Sequence, residues 1–112
     1  MSTISYISRL NADGTVTGVY CHFDGYPEGV GEVLHNNYTT PDQVRALLEL
    51  GDLSSLGDTI DETIAYHRDR GETLQEPCVF GSIQEMTNKA RDVMGAEWAY
   101  VHDDNGWKNY RV

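Results

Sequence analysis

The turn Asp103-Asp104-Asn105-Gly106, set between residues 97–102 and 107–112, constrains the fold more than any other feature of the sequence. Asn-Gly accepts positive φ at the centre of a tight turn, so the segments on either side are expected to fold back as an antiparallel hairpin. A second hairpin opens the chain. Residues 4–10 and 15–23 are rich in strand formers, and Asn11-Ala12-Asp13-Gly14 joins them with Gly14 free to take positive φ.

Helix signals fill the space between the hairpins. Asp24-Gly25-Tyr26-Pro27 breaks the second strand, and Pro27 suits a first helical position. Val30, Val33, Leu34 and Asn37 follow helical spacing, which predicts a short helix over 28–37, weakened by Gly29 and Gly31. Thr40-Pro41-Asp42-Gln43 is a capping box, followed by a Val44, Leu47, Leu48 stripe that Gly51 closes. Residues 52–57 read as a turn. Residues 58–70 fit a strand or a helix; Thr63, Ile64 and Tyr66 favour a strand over 62–67. Residues 72–81 read as a loop. Ser82-Ile83-Gln84-Glu85 starts a last helix, with Ile83, Met86, Ala90, Val93 and Met94 on one face and Gly95 at its end.

The expected architecture is a single α+β domain over 1–112, with about three helices on a mostly antiparallel five-stranded sheet in the order ββααβαββ. A chain of 112 residues has room for one modest core. No run of apolar residues approaches the length of a membrane span, and the first residues lack the basic and apolar regions of a secretory signal. Cys21 and Cys78 each lie in an apolar run and read as reduced core thiols, which points to the cytoplasm. Trp98 and Trp107 flank the final turn, and His35 reads as a helix-surface residue.

Charge bears most directly on partners. Eighteen acidic residues face eight basic ones, a net charge of −10. Residues 24–62 hold Asp24, Glu28, Glu32, Asp42, Glu49, Asp52, Asp58, Asp61 and Glu62 against Arg45 alone. Such a segment repels phosphate, which argues against direct nucleic-acid binding, and attracts a basic protein surface. The plainer reading of the same charge is solubility.

Three further patterns could carry chemistry. His22, His67 and His102 each end an expected strand and have an aspartate two residues on, Asp24, Asp69 and Asp104. If the three ends converged, the imidazoles and carboxylates could hold a divalent metal or act as acid–base groups; ordinary strand ends have the same composition. Arg68 and Arg70 would share a face of a strand and could clamp an anion, or simply form surface ion pairs. His22-Phe23-Asp24-Gly25-Tyr26-Pro27-Glu28-Gly29-Val30-Gly31 matches no phosphate-binding glycine motif and lacks lysine. It reads as a tight strand-to-helix crossing, or as a recognition loop built on aromatic anchors.

The stretches 22–31 and 66–72, with Trp98-Ala99-Tyr100-Val101 and Asn105-Gly106-Trp107-Lys108, resemble segments of small uncharacterised proteins of bacteriophages and bacterial mobile elements. That resemblance implies a role inside the host cell and transfers no catalytic residue. The first functional expectation is a non-enzymatic protein that docks its acidic region on a basic surface of a host or phage protein, as a nucleic-acid mimic or defence inhibitor, with no cofactor. The alternatives are a small metal-dependent enzyme using the His-x-Asp pairs, and a small-ligand binder lined by Tyr20, Tyr26, Tyr66, Arg68 and Arg70. A homodimer through an exposed sheet edge or the terminal hairpin is compatible with each.

Overall fold

The computed structural model describes residues 2–112. Both hairpins form where the turn chemistry places them. β1 (Ser5–Leu10) and β2 (Val16–Cys21) pair antiparallel with Ile7 opposite Val19, and Gly14 takes the left-handed turn position at φ 87°. β6 (Trp98–Asp103) and β7 (Gly106–Arg111) pair with His102 opposite Trp107, and Gly106 has φ 102°.

Between them the chain forms a π-helical turn (Pro27–Gly31), α1 (Glu32–Asn37), α2 (Pro41–Glu49), β3 (Leu53–Ser55), β4 (Ile64–Ala65), α3 (Tyr66–Arg70), β5 (Cys78–Phe80) and α4 (Ile83–Asp92). The capping box of α2 is complete. Gln43 N–H donates to Thr40 Oγ1 at 3.2 Å, and Thr40 N–H returns to Gln43 Oε1 at 3.0 Å. The box of α4 is displaced by one residue: Glu85 N–H donates to Ser82 Oγ, but Glu85 Oε2 accepts from Gly81 N–H.

The fold is α+β, but the sheet is mixed and seven-stranded rather than five-stranded and mostly antiparallel. Its order is β4-β3-β2-β1-β6-β7, with β5 also pairing β2. The inner strands of the two hairpins meet in the middle, so β1 and β6 run parallel, as do β2 and β3. Parallel neighbours need long crossovers, and the helices between the hairpins supply them. β2 divides its outer edge: β5 pairs with Val16, Thr17 and Gly18, and β3 meets Cys21. The expected turn at 52–57 and loop at 72–81 thus hold β3 and β5. Three-residue strands are too short to show an alternating pattern.

The strand expected over 62–67 shrinks to Ile64 and Ala65, and a short helix follows. The Asp69 carboxylate supports the change, because its Oδ2 accepts the N–H of Ala65, the residue from which the helix starts, at 2.8 Å. Gly71, at φ 68°, closes that helix, with Glu72 N–H donating to Tyr66 O.

Side-chain alternation sends Val19, Ile7 and Tyr100 to one face of the sheet, under Val30, Leu34, Val44 and Leu47 of the first helical layer. Tyr6, Ala99 and Val101 point to the other face, under Met86 and Ala90 of α4. Leu34, Leu47 and Met86 are fully buried, and each contributes about 1.5–3 kcal/mol of transfer free energy. Of the two expected core thiols only Cys21 is buried, with its pKa pushed up to about 12 by burial; Cys78 is exposed. No helix among the described residues is long and apolar enough to cross a membrane.

Candidate functional site

The crossing loop after β2 is held on both sides while its side chains face water. Its backbone continues alongside β3, with His22 N–H donating to Leu53 O and Phe23 N–H to Ser54 O. Gly25 is tied by its N–H to Thr3 O at 2.8 Å and by its carbonyl to the Tyr100 hydroxyl at 2.6 Å. These anchors hold Asp24 at φ 58°, the one non-glycine residue with positive φ among those described, at a cost of roughly 1 kcal/mol. Gly29 must lack a side chain, since a Cβ there would lie 2.4 Å from Asp24 O. The resulting π-helical turn is an uncommon geometry, frequent at functional sites.

Phe23 and Tyr26 are about 40% exposed at this loop, unusual for large aromatic side chains. Tyr26 donates to Asp24 Oδ1 at 3.2 Å, and the Asp24 charge holds its phenol above its ordinary pKa. Beside Gly29 opens a shallow depression of ≈ 530 Å³. Glu28, Glu32 and Asp58 line it with Asn36 and Asn37, and no lysine or arginine does. Asn37 Nδ2 reaches Asp58 Oδ1 at 3.5 Å. The depression therefore presents carboxylates and amide groups to whatever fills it.

The nine carboxylates of residues 24–62 do not make one surface. Asp24, Glu28, Glu32 and Asp58 gather at the loop and depression, and Asp61 and Glu62 are exposed in the segment after Asp58. Asp42 pairs with Arg45, and Glu49 faces a different cleft that Arg45 also lines. Asp52 is half-buried and accepts the Tyr20 N–H at 3.2 Å. Burial pushes its carboxyl pKa up, against that hydrogen bond, which lowers it.

The His-x-Asp pairs stay apart. Ser5 lies opposite both Cys21 and Trp98, and Arg9 opposite both Thr17 and His102. His22 follows Cys21, so it and His102 lie at opposite ends of the central strands, five residues or roughly 17 Å apart along them at about 3.3 Å per residue. They also face opposite sides of the sheet. His22 Nδ1 meets the Tyr20 hydroxyl, while His67, on α3, uses Nδ1 to donate to Glu72 O. Among the described residues no group of three His, Cys, Asp or Glu side chains could hold a metal ion, so His22, Asp24, His67, Asp69, His102 and Asp104 do not form the expected cluster.

The anion clamp at Arg68 and Arg70 is likewise absent. α3 replaces the strand that would have aligned them. Arg68 donates to both carboxylate oxygens of Asp69 and to the carbonyls of Ile60 and Thr63, which staples the 58–63 segment to α3. Arg70 lies over the Tyr66 ring at 5.4 Å.

Arg9, a residue not singled out by sequence, meets His102 at the far end of the sheet. Arg9 Nη1 donates to Nδ1 of His102, which is only 3% exposed, and the Trp107 ring stands edge-on to that imidazole at 5.0 Å. Burial, with the Arg9 charge next, holds the His102 pKa below its ordinary value. Arg9 and His102 are 93 residues apart, and no local pattern announces their pairing.

No protein-family model, curated protein or solved structure matches the chain.

Proposed function

We propose that this chain is a binding protein that docks its crossing loop on a basic surface of another protein, in the place a nucleic-acid backbone would occupy. The observation that carries the reading is the depression in which Glu28, Glu32 and Asp58 converge without a basic residue among its lining. Arginine or lysine side chains of a partner would enter it, and Phe23 and Tyr26 would supply stacking faces for guanidinium groups. A rigid loop, pinned through Gly25, loses little entropy on binding. The partner class is a nucleic-acid-binding protein of a host cell or phage, and the chain itself performs no chemistry in this reading.

The test is a nuclear magnetic resonance titration of the full chain with an oligo-arginine peptide at low and physiological salt. The expected result is a set of shifts centred on Glu28, Glu32 and Asp58 that shrinks as salt rises, because exposed charges are screened beyond about 8–10 Å. The combined Glu28→Gln, Glu32→Gln and Asp58→Asn variant should abolish the set. Equal shifts at Asp13, Asp92 and Glu97 would mean that the peptide only senses net charge, and the reading would fall.

A further inference from the structure

Arg9 is the most deeply placed cation of the ion pairs in this acidic chain, with a side chain 14% exposed, yet its donors are largely uncommitted. Among the described residues, its one side-chain hydrogen bond goes to His102 Nδ1. The nearest carboxylate oxygen, Asp104 Oδ1, lies 3.7 Å from Nη2 on a side chain 96% exposed, too far for a hydrogen bond. A guanidinium has five N–H donors, and withdrawing it from water without partners is costly. Arg68, at 33% exposed, makes four hydrogen bonds to a carboxylate and two carbonyls. The two arginines differ in what they serve: Arg68 closes a loop, while Arg9 keeps donors without a hydrogen-bond partner among the described residues and is one of the residues lining a cavity.

That cavity, ≈ 210 Å³, is lined by Arg9, Arg45, Asn11, Thr17, Leu48 and Pro77, and by one carboxylate, Glu49. Asn11 Nδ2 donates to Thr17 Oγ1 at 2.9 Å, which occupies a lone pair and leaves the Thr17 hydroxyl proton free to point elsewhere. Arg45 is tied only to Asp42, one turn away on the exposed face of α2. His102 accepts from Arg9, so its Nδ1 carries no proton; it orients the guanidinium without neutralising it. The walls at Leu48 and Pro77 are apolar, which strengthens any charge-assisted contact made between them.

We propose that this cleft binds a compact oxyanion, a carboxylate or phosphate group of a small molecule, with Arg9 as its principal donor and Thr17 and Arg45 completing the contact. His102 is a positioning residue, and Glu49 favours ligands whose remainder is neutral or cationic. The site lies at the end of the sheet opposite the acidic loop and is independent of the docking reading.

The experiment titrates the full chain separately with inorganic phosphate and with acetate, at constant ionic strength, and follows backbone amides and arginine Nε–H resonances. The expected result is a saturable shift at Thr17 and at Arg9 Nε for one or both anions; phosphate alone, acetate alone or both would each support the site and name its source. Arg9→Gln should weaken binding about ten-fold, the loss of one charge-assisted contact worth about 1.4 kcal/mol. Thr17→Val, which keeps the side-chain shape, should weaken it by a smaller factor of about three, and it decides the matter if the Arg9 variant fails to fold. Arg91→Gln, which removes a surface ion pair elsewhere, should change nothing. Unsaturable drift across all resonances, or identical titrations for the parent and Thr17→Val chains, would overturn the proposal.

Discussion

Beside Ser5 and Trp98, where β1 and β6 begin, lies the crossing loop that follows β2, and there Asp24, Glu28, Glu32 and Asp58 stand in water near two exposed aromatic rings. Four residues further along the same strands, Arg9 and His102 lie mostly out of water, joined to each other, with Arg9 lining a small cleft. The first end keeps many like charges cheaply, because solvent screens them. The second end keeps a single cation in a setting where each unpaired N–H counts. Net charge describes the first end well and is silent on the second, since a total of −10 says nothing about the sign of a buried group.

Gly29 is where one end of the sheet can be disturbed most strongly without touching the other. Gly29→Ala places a methyl 2.4 Å from Asp24 O and should shift the crossing loop, at a cost of about 3 kcal/mol by chemical denaturation. It should weaken the oligo-arginine peptide and leave the phosphate titration unchanged; equal loss at both ends would mean that the two sites are not separate. Tyr100→Phe comes next. Removing the hydroxyl leaves Gly25 O without its buried donor, with an expected loss of about 2 kcal/mol and faster amide exchange at Gly25.

A change of pH sharpens the comparison at the other end. The folded-state pKa of His102 is held below its ordinary 6.5, so an unfolded chain takes up the proton first. Both states are neutral above that value. As pH falls through about 6.5 the unfolded state binds more protons, and stability drops by up to about 1.4 kcal/mol per unit until the folded pKa is reached. The difference between thermal melts of the parent and His102→Gln chains should change with pH in this window and stay constant above it. The smallest expected effect is at Asp24, where Asp24→Gly relieves a left-handed residue, gains less than about 1 kcal/mol, and weakens cationic-peptide binding by removing a carboxylate.

What was legible in the sequence was local. Gly14 and Gly106 adopt the positive φ their turns require, and Thr40 and Gln43 exchange the hydrogen bonds their spacing implies. The Val44, Leu47, Leu48 stripe of α2 is buried as its periodicity indicates, whereas of the stripe expected on α4 only Met86 and Ala90 are buried, and Val93, past the helix end, is 70% exposed. These features join residues only a few positions apart, so little chain entropy opposes them and residue chemistry decides the outcome. The strand-to-helix crossing at 22–31 was readable for the same reason, but the exposure of Phe23 and Tyr26 was not.

The tertiary structure alone decided which strands meet and which charges do. The parallel pairing of β1 with β6 joins segments about ninety residues apart, chosen by the helices that bury both sheet faces at once. β3 and β5 are strands because β2 offers an unpaired edge, not because three residues prefer the conformation. Asp69 supports α3 where a strand end was expected, and that helix spent Arg68 on carbonyls. Arg9 met His102 because neighbouring strands placed them in register, and a hydrogen bond across such a separation leaves no mark on composition or spacing.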